Sequence, residues 1–265
     1  MKILKILLIG LITTILHLSI NLFFPMNAQS QLLPSQFVIN GTLPILFSCY
    51  GLLAYSLIAS MFLLVSKKLT GQKLFQGIEF GCFCAVIWCV YLLEPLPHLT
   101  LPDCIFCSLA NALILIIMGA MCGMLLGENK KKQSQKSHVS LLSLLTIMSC
   151  FILMRYVLYL FYDIYSSFDE YPLTTLWWCI FSSFIIACAI TWTNNCLDEK
   201  DILRRSFISG VILFGMNITL FNFFIPLIFK INVADLILRT ISDTTAITIG
   251  CMISQKAASF VVQKG

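Results

Sequence analysis

Polar positions along this chain are confined to short interruptions between long apolar runs of nearly uniform length. Eight runs, near 4–24, 44–66, 74–93, 104–126, 140–162, 173–193, 206–229 and 234–254, each approach the roughly 20 residues a helix needs to cross a bilayer. Lipid offers no partner for a bare backbone N–H or C=O, so each run is predicted to be an α-helix. The expected fold is an all-α polytopic transmembrane helix bundle of about eight helices.

Composition agrees with that pattern. Of 265 residues, 59% are hydrophobic and 11% charged, whereas a soluble domain carries about 25% charged residues. No polar stretch is long enough for a second, soluble domain. The net charge of +5 is carried in clusters between the runs: Lys67 and Lys68, Lys130 to Lys132, Arg204 and Arg205. A nucleic-acid footprint would be a continuous basic face with interleaved aromatics, so a nucleic-acid partner is not expected and the bilayer is.

The basic clusters sort to one side. With the N-terminus inside, Lys2, Lys5, Lys73, Lys136, Lys200, Lys256 and Lys264 join them on the cytoplasmic face, and only Lys230 falls outside. This bias predicts a multi-pass plasma-membrane protein with both termini cytoplasmic. Glu94, Asp103, Asp163, Asp169 and Glu170 then fall outside. The first run has a basic start and a small residue, Ala28, as a signal peptide does. Its length, with His17 and Asn21 inside it, favours retention.

The runs also pair at a distance. Asp103 of the fourth aligns with Asp235 of the eighth, which places Asn111 on Asp243. His17 of the first aligns with Arg155 of the fifth, and Pro97 after the third with Pro226 in the seventh. The expected organisation is two parallel-related four-helix repeats, 1–127 and 140–265, joined by a basic cytoplasmic linker, 128–139.

Asp235, Arg239 and Asp243 recur every four residues on one face of the eighth run. An Asp at mid-bilayer costs about 2.5–3.5 kcal/mol on insertion scales, so Asp243 must face protein or water. Arg239 can neutralise it locally, which would merely orient that helix. Alternatively, helices one, four, five and eight line the junction between the halves. His17, Asn21, Asn111, Arg155, Arg239 and Asp243 then form one central polar cluster, where repeat-built transporters hold their solutes.

The leading functional expectation is therefore a small-solute or ion transporter. A non-catalytic membrane scaffold, assembly or immunity-type protein, acting through a protein partner or as a homo-oligomer, is the alternative. A third reading, a membrane thiol oxidoreductase, rests on Cys104 and Cys107, a CxxC at the start of the fourth run. That chemistry needs an activated thiolate and usually a second external pair, which the sequence lacks. His17, His98 and His138 fall in different compartments without metal-ligand spacing, and no nucleotide or nucleophile motif occurs, so no metal or cofactor is implied.

Overall fold

The computed structural model describes residues 2–23, 32–97, 101–131, 140–162 and 164–264, without the side chains of 21–23 and 258–264. Among them run eight long helices: α1 (Lys2–Phe23), α2 (Leu43–Val65), α3 (Lys73–Leu92), α4 (Leu101–Leu126), α5 (Leu141–Phe161), α6 (Pro172–Cys196), α7 (Ile202–Ile228) and α8 (Val233–Lys264). All eight are long and apolar enough to span a membrane, and the chain is an all-α polytopic bundle. His98, His138, Lys132, Lys136, Asp163 and Ala28 lie outside the described residues.

Several helix ends are set by local chemistry. Pro44 and Pro172 sit in the first turns of α2 and α6, where the absent N–H costs nothing. The Asp201 carboxylate starts α7 by accepting from the amides of Leu203 (2.8 Å) and Arg204 (3.3 Å). Within α7, residues Ile208–Met216 widen into a π-helix, a form that disturbs the regular ladder and recurs at functional sites. After Asn222 the helix turns and resumes as Ile225–Ile228, with Pro226 in its first turn.

Packing follows the small residues. Gly77 and Gly81 of α3 face Gly119 and Gly123 of α4, two GxxxG pairs that let the backbones touch. A Cβ added at Gly81 would lie 2.6 Å from the Leu115 carbonyl oxygen. α1 packs along α2, where Gly51 meets Thr14, and also against α4. In the same order, α5 packs against α6 and α8, and α8 against α7, where Gly210 meets Thr248. Large side chains such as Phe62, Phe80, Trp88, Phe151 and Phe214 fill the interior, while Leu53, Leu109, Leu153 and Ile241 point outward. In lipid that outward face needs no further cover.

The lysine-rich end is tied down at one corner. Gly71 and Lys130 exchange backbone hydrogen bonds of 3.1 and 3.0 Å, and Lys130 Nζ donates to the Ser66 and Lys67 carbonyls at 2.7 and 2.6 Å. The first residues of the predicted linker are thus fixed against the α2–α3 turn.

Candidate functional site

The buried stripe of α5 is Ile147, Phe151, Arg155, Leu158 and Tyr159. Its steps of three and four put the Arg155 guanidinium among core side chains rather than toward lipid. α8 buries Arg239, Thr240, Asp243, Ala246, Ile247 and Cys251 and turns Ile237, Ile241, Ile249 and Ile253 outward. The two polar faces meet, and α3 supplies what lies between them. α3 ends at Leu92, and the Glu94 amide closes the last turn on Tyr91 O at 3.1 Å. The Glu94 carboxylate folds back into the bundle at 4% exposure.

The result is a string of alternating charges. Arg155 donates from one terminal nitrogen to Glu94 Oε1 at 3.0 Å and from the other to Asp243 Oδ2 at 2.7 Å. Arg239 donates to the same Glu94 Oε1 at 3.2 Å, and its Nε lies 3.1 Å from Asp235 Oδ2. That last contact is close but not aligned as a hydrogen bond, because Arg239 Nε has no hydrogen-bond partner. From Asp235 to Asp243 the string descends eight residues of α8, about 12 Å at the helical rise.

Aromatic rings wall it in. The Arg155 guanidinium carbon lies 5.0 Å from the Trp178 ring centroid and 5.5 Å from those of Tyr91 and Phe151. Such faces attract a desolvated guanidinium by about 0.5–2 kcal/mol. The Trp178 indole is itself fixed by donating to Val90 O at 2.8 Å, and the Tyr91 hydroxyl donates to Asp243 Oδ2 at 2.8 Å. Arg155 and Asp243 are each 1% exposed. Asp243 Oδ1, Arg155 Nε and Arg239 Nη2 are buried without a partner.

From the residues expected to cluster, the structure brings together Arg155, Arg239 and Asp243 and places two others elsewhere. His17 shares a hydrogen bond with the Tyr55 hydroxyl through Nδ1 and packs against Phe47 and Phe224, centroids 5.1 and 5.7 Å away. Asn111 donates to Cys107 O at 2.9 Å on its own helix. The Asn21 side chain lies outside the described residues. The walls of the site are accordingly α3, α5, α6 and α8 rather than helices one, four, five and eight. The physical reason is that α1 turns its polar face to α2 and α7, while the end of α3 supplies Arg155 with a second counter-charge beside Asp243. Cys104 is buried and Cys107 partly so.

Three members of the site escaped the sequence reading: Glu94, Tyr91 and Trp178. The one signal for Glu94 was its position a residue past a helix end and just before Pro95, still within reach of the bilayer interior. Trp178 has the position of an interfacial aromatic, and nothing in the sequence marks Tyr91. No set of three or more His, Cys, Asp or Glu side chains among the described residues is grouped to hold a metal ion. Comparison with protein-family models, with characterised proteins and with solved structures finds no match. The functional reading therefore rests on geometry alone.

Proposed function

We propose that this integral membrane protein moves a small solute or ion, and that the charge string is the latch between its two four-helix halves, 1–127 and 140–265. The observation that carries this reading is that the string crosses the junction. Glu94 and Tyr91 come from the first half; Arg155, Arg239 and Asp243 come from the second. A latch of that kind holds the halves together when made and frees them when broken.

Residue offsets support a parallel repeat. Pro97 and Pro226 are 129 positions apart, and so are Trp88 and Asn217, whose side chains meet in a 2.8 Å hydrogen bond between α3 and α7. Equivalent residues touch each other only on a two-fold axis. With the same offset Gly81 pairs with Gly210. A Cβ on the first would meet Ile116, and on the second Thr248, which are 132 apart like Asp103 and Asp235. Pro44 and Pro172 differ by 128, as do Tyr50 and Trp178. Each of those aromatics donates across the junction to a main-chain oxygen, Tyr50 to Leu220 at 2.9 Å and Trp178 to Val90 at 2.8 Å.

The test is solid-supported-membrane electrometry on proteoliposomes, probed with monovalent ions, amino acids and sugars. Wild-type protein should give transient currents with one of these probes, and D243N and E94Q, reconstituted in equal amounts, should lose them. Absence of current from the wild type with every probe would overturn the proposal. A second reading, a membrane scaffold, is favoured by one observation: Arg155 and Asp243 are sealed from solvent. Under it the wild type is silent and the same substitutions lower only thermal stability.

A further inference from the structure

α7 changes its winding part-way across the bundle. Backbone bonds of an α-helix close on the fourth residue and those of a π-helix on the fifth, so a π turn holds one residue more. Within the π segment Ile208–Met216, two glycines show what selects that winding. A Cβ on Gly210 would lie 2.6 Å from Thr248 Cα, and one on Gly215 would lie 2.6 Å from Thr244 Cγ2. Both glycines therefore face α8, five residues apart, against threonines that are four apart. In a regular α-helix, residues five apart diverge by about 140° and could not both face it. The π winding puts them on one line.

The other winding has a definite shape. If the segment rewinds to α with the Ile202 end fixed, Phe214 takes the place of Gly215, and Met216 that of Asn217. Everything beyond turns by one residue, about 100°. Phenylalanine does not fit where even a Cβ would press on Thr244, so rewinding requires α8 to draw back there. Thr244 follows Asp243, the residue by which Arg155 and Tyr91 hold α8. The outer part of α7 is in turn what the first half grips. Asn217 accepts from Trp88 at 2.8 Å, Leu220 O accepts from Tyr50 at 2.9 Å, and the Phe224 ring centroid lies 4.7 Å from that of Tyr50. α3, the counterpart of α7 on the proposed repeat, covers the same span, Gly81 to Trp88, as a regular α-helix.

We propose that α7 is a two-state helix. Ile208–Met216 stays π-wound while the charge string holds α8 in place, and it rewinds to α when the string lets go. Rewinding turns Asn217, Leu220 and Phe224 away from their partners in the first half. The string and the grip on α7 lie on different helices, and the π segment links them: release of one releases the other. In the transport cycle this is the step that moves one half against the other, a role that rests on the transport reading. The exchange between windings needs no solute.

Fluorine NMR on protein labelled with 5-fluorotryptophan, in lipid nanodiscs without solute, reads the winding at Trp88. W88F assigns its signal among the four tryptophans. The wild type should show two Trp88 lines, a major one from the indole facing Asn217 and a minor one from the indole facing Met216. D243N should raise the minor line about fivefold. Deleting Ile212, a partly buried residue between the glycines, sets Gly210 and Gly215 four apart. A regular α-helix then keeps both on α8 and Asn217 on Trp88, so this variant should show the major line alone. A single Trp88 line common to wild type and D243N would overturn the proposal, as would two lines in the deletion variant. Should the deletion fail to fold, wild type against D243N decides. Two lines in protein that carries no current would leave the two-state helix standing and remove the transport reading. Current with a single line would do the reverse.

Discussion

Replacing Arg155 by Gln removes the hub of the string. Glu94 keeps Arg239 at 3.2 Å, but Asp243 is left with Tyr91 alone, and the formal charge of the string goes from −1 to −2. Stripping one partner from a buried pair costs about 3–5 kcal/mol, because the other charge stays behind unpaired. Asp243→Asn should be milder. It leaves Arg155 its bond to Glu94, keeps an acceptor for Tyr91, and should cost about 1 kcal/mol, the value of one ordinary hydrogen bond. In R155Q/D243N the stranded carboxylate is gone, so the double variant should be more stable than R155Q alone, with a coupling energy of about 2–3 kcal/mol. Thermal unfolding in detergent micelles, followed by tryptophan fluorescence, measures all four proteins. R155Q should melt about 6–20 °C below the wild type, taking 2–4 °C per kcal/mol for a chain near this size. Equal shifts in the two single variants, or a double variant whose shift is their sum, would refute the argument: the charges would then act independently.

Other expectations follow from packing. Gly77→Val sets a branched side chain against the backbone of Gly119 and Gly123; overpacking of this kind costs about 1–3 kcal/mol, and should appear as a lower melting temperature and lost monodispersity in size-exclusion chromatography. Asn217→Leu leaves the Trp88 indole N–H buried and unpaired, at about 1–3 kcal/mol. Pairing it with Trp88→Phe should recover part of the loss in the same melting assay, whereas an additive double variant would deny the bond any role.

The eight helices were legible because lipid makes length and hydropathy nearly sufficient: each run near 20 apolar residues became one helix. Arg155, Arg239 and Asp243 were legible for the same reason, since a charge inside such a run has to be answered. Glu94 was not. It lies beyond its helix, beside Pro95, where composition reads as a loop, and only the arrival of α5 and α8 gives it buried partners, Arg155 and Arg239. His17 misled in the opposite direction. A polar group in a span can be satisfied by one neighbouring hydroxyl, here Tyr55, without joining a wider network. Which helix stands beside which is decided by contacts between distant segments, such as the Gly77–Gly119 crossing, and hydropathy carries no trace of them.

The bond between Trp88 and Asn217 has a bearing on how this chain could be handled and on where it could have come from. On the proposed repeat these two residues are counterparts that face each other, as two copies of a shorter polypeptide would present them. On that proposal, joining the halves through the stretch 128–139 of the sequence raises their effective concentration and is not needed to align them. Two fragments made separately, one ending and one beginning in that stretch, should find each other in the same bilayer and restore the charge string without being joined.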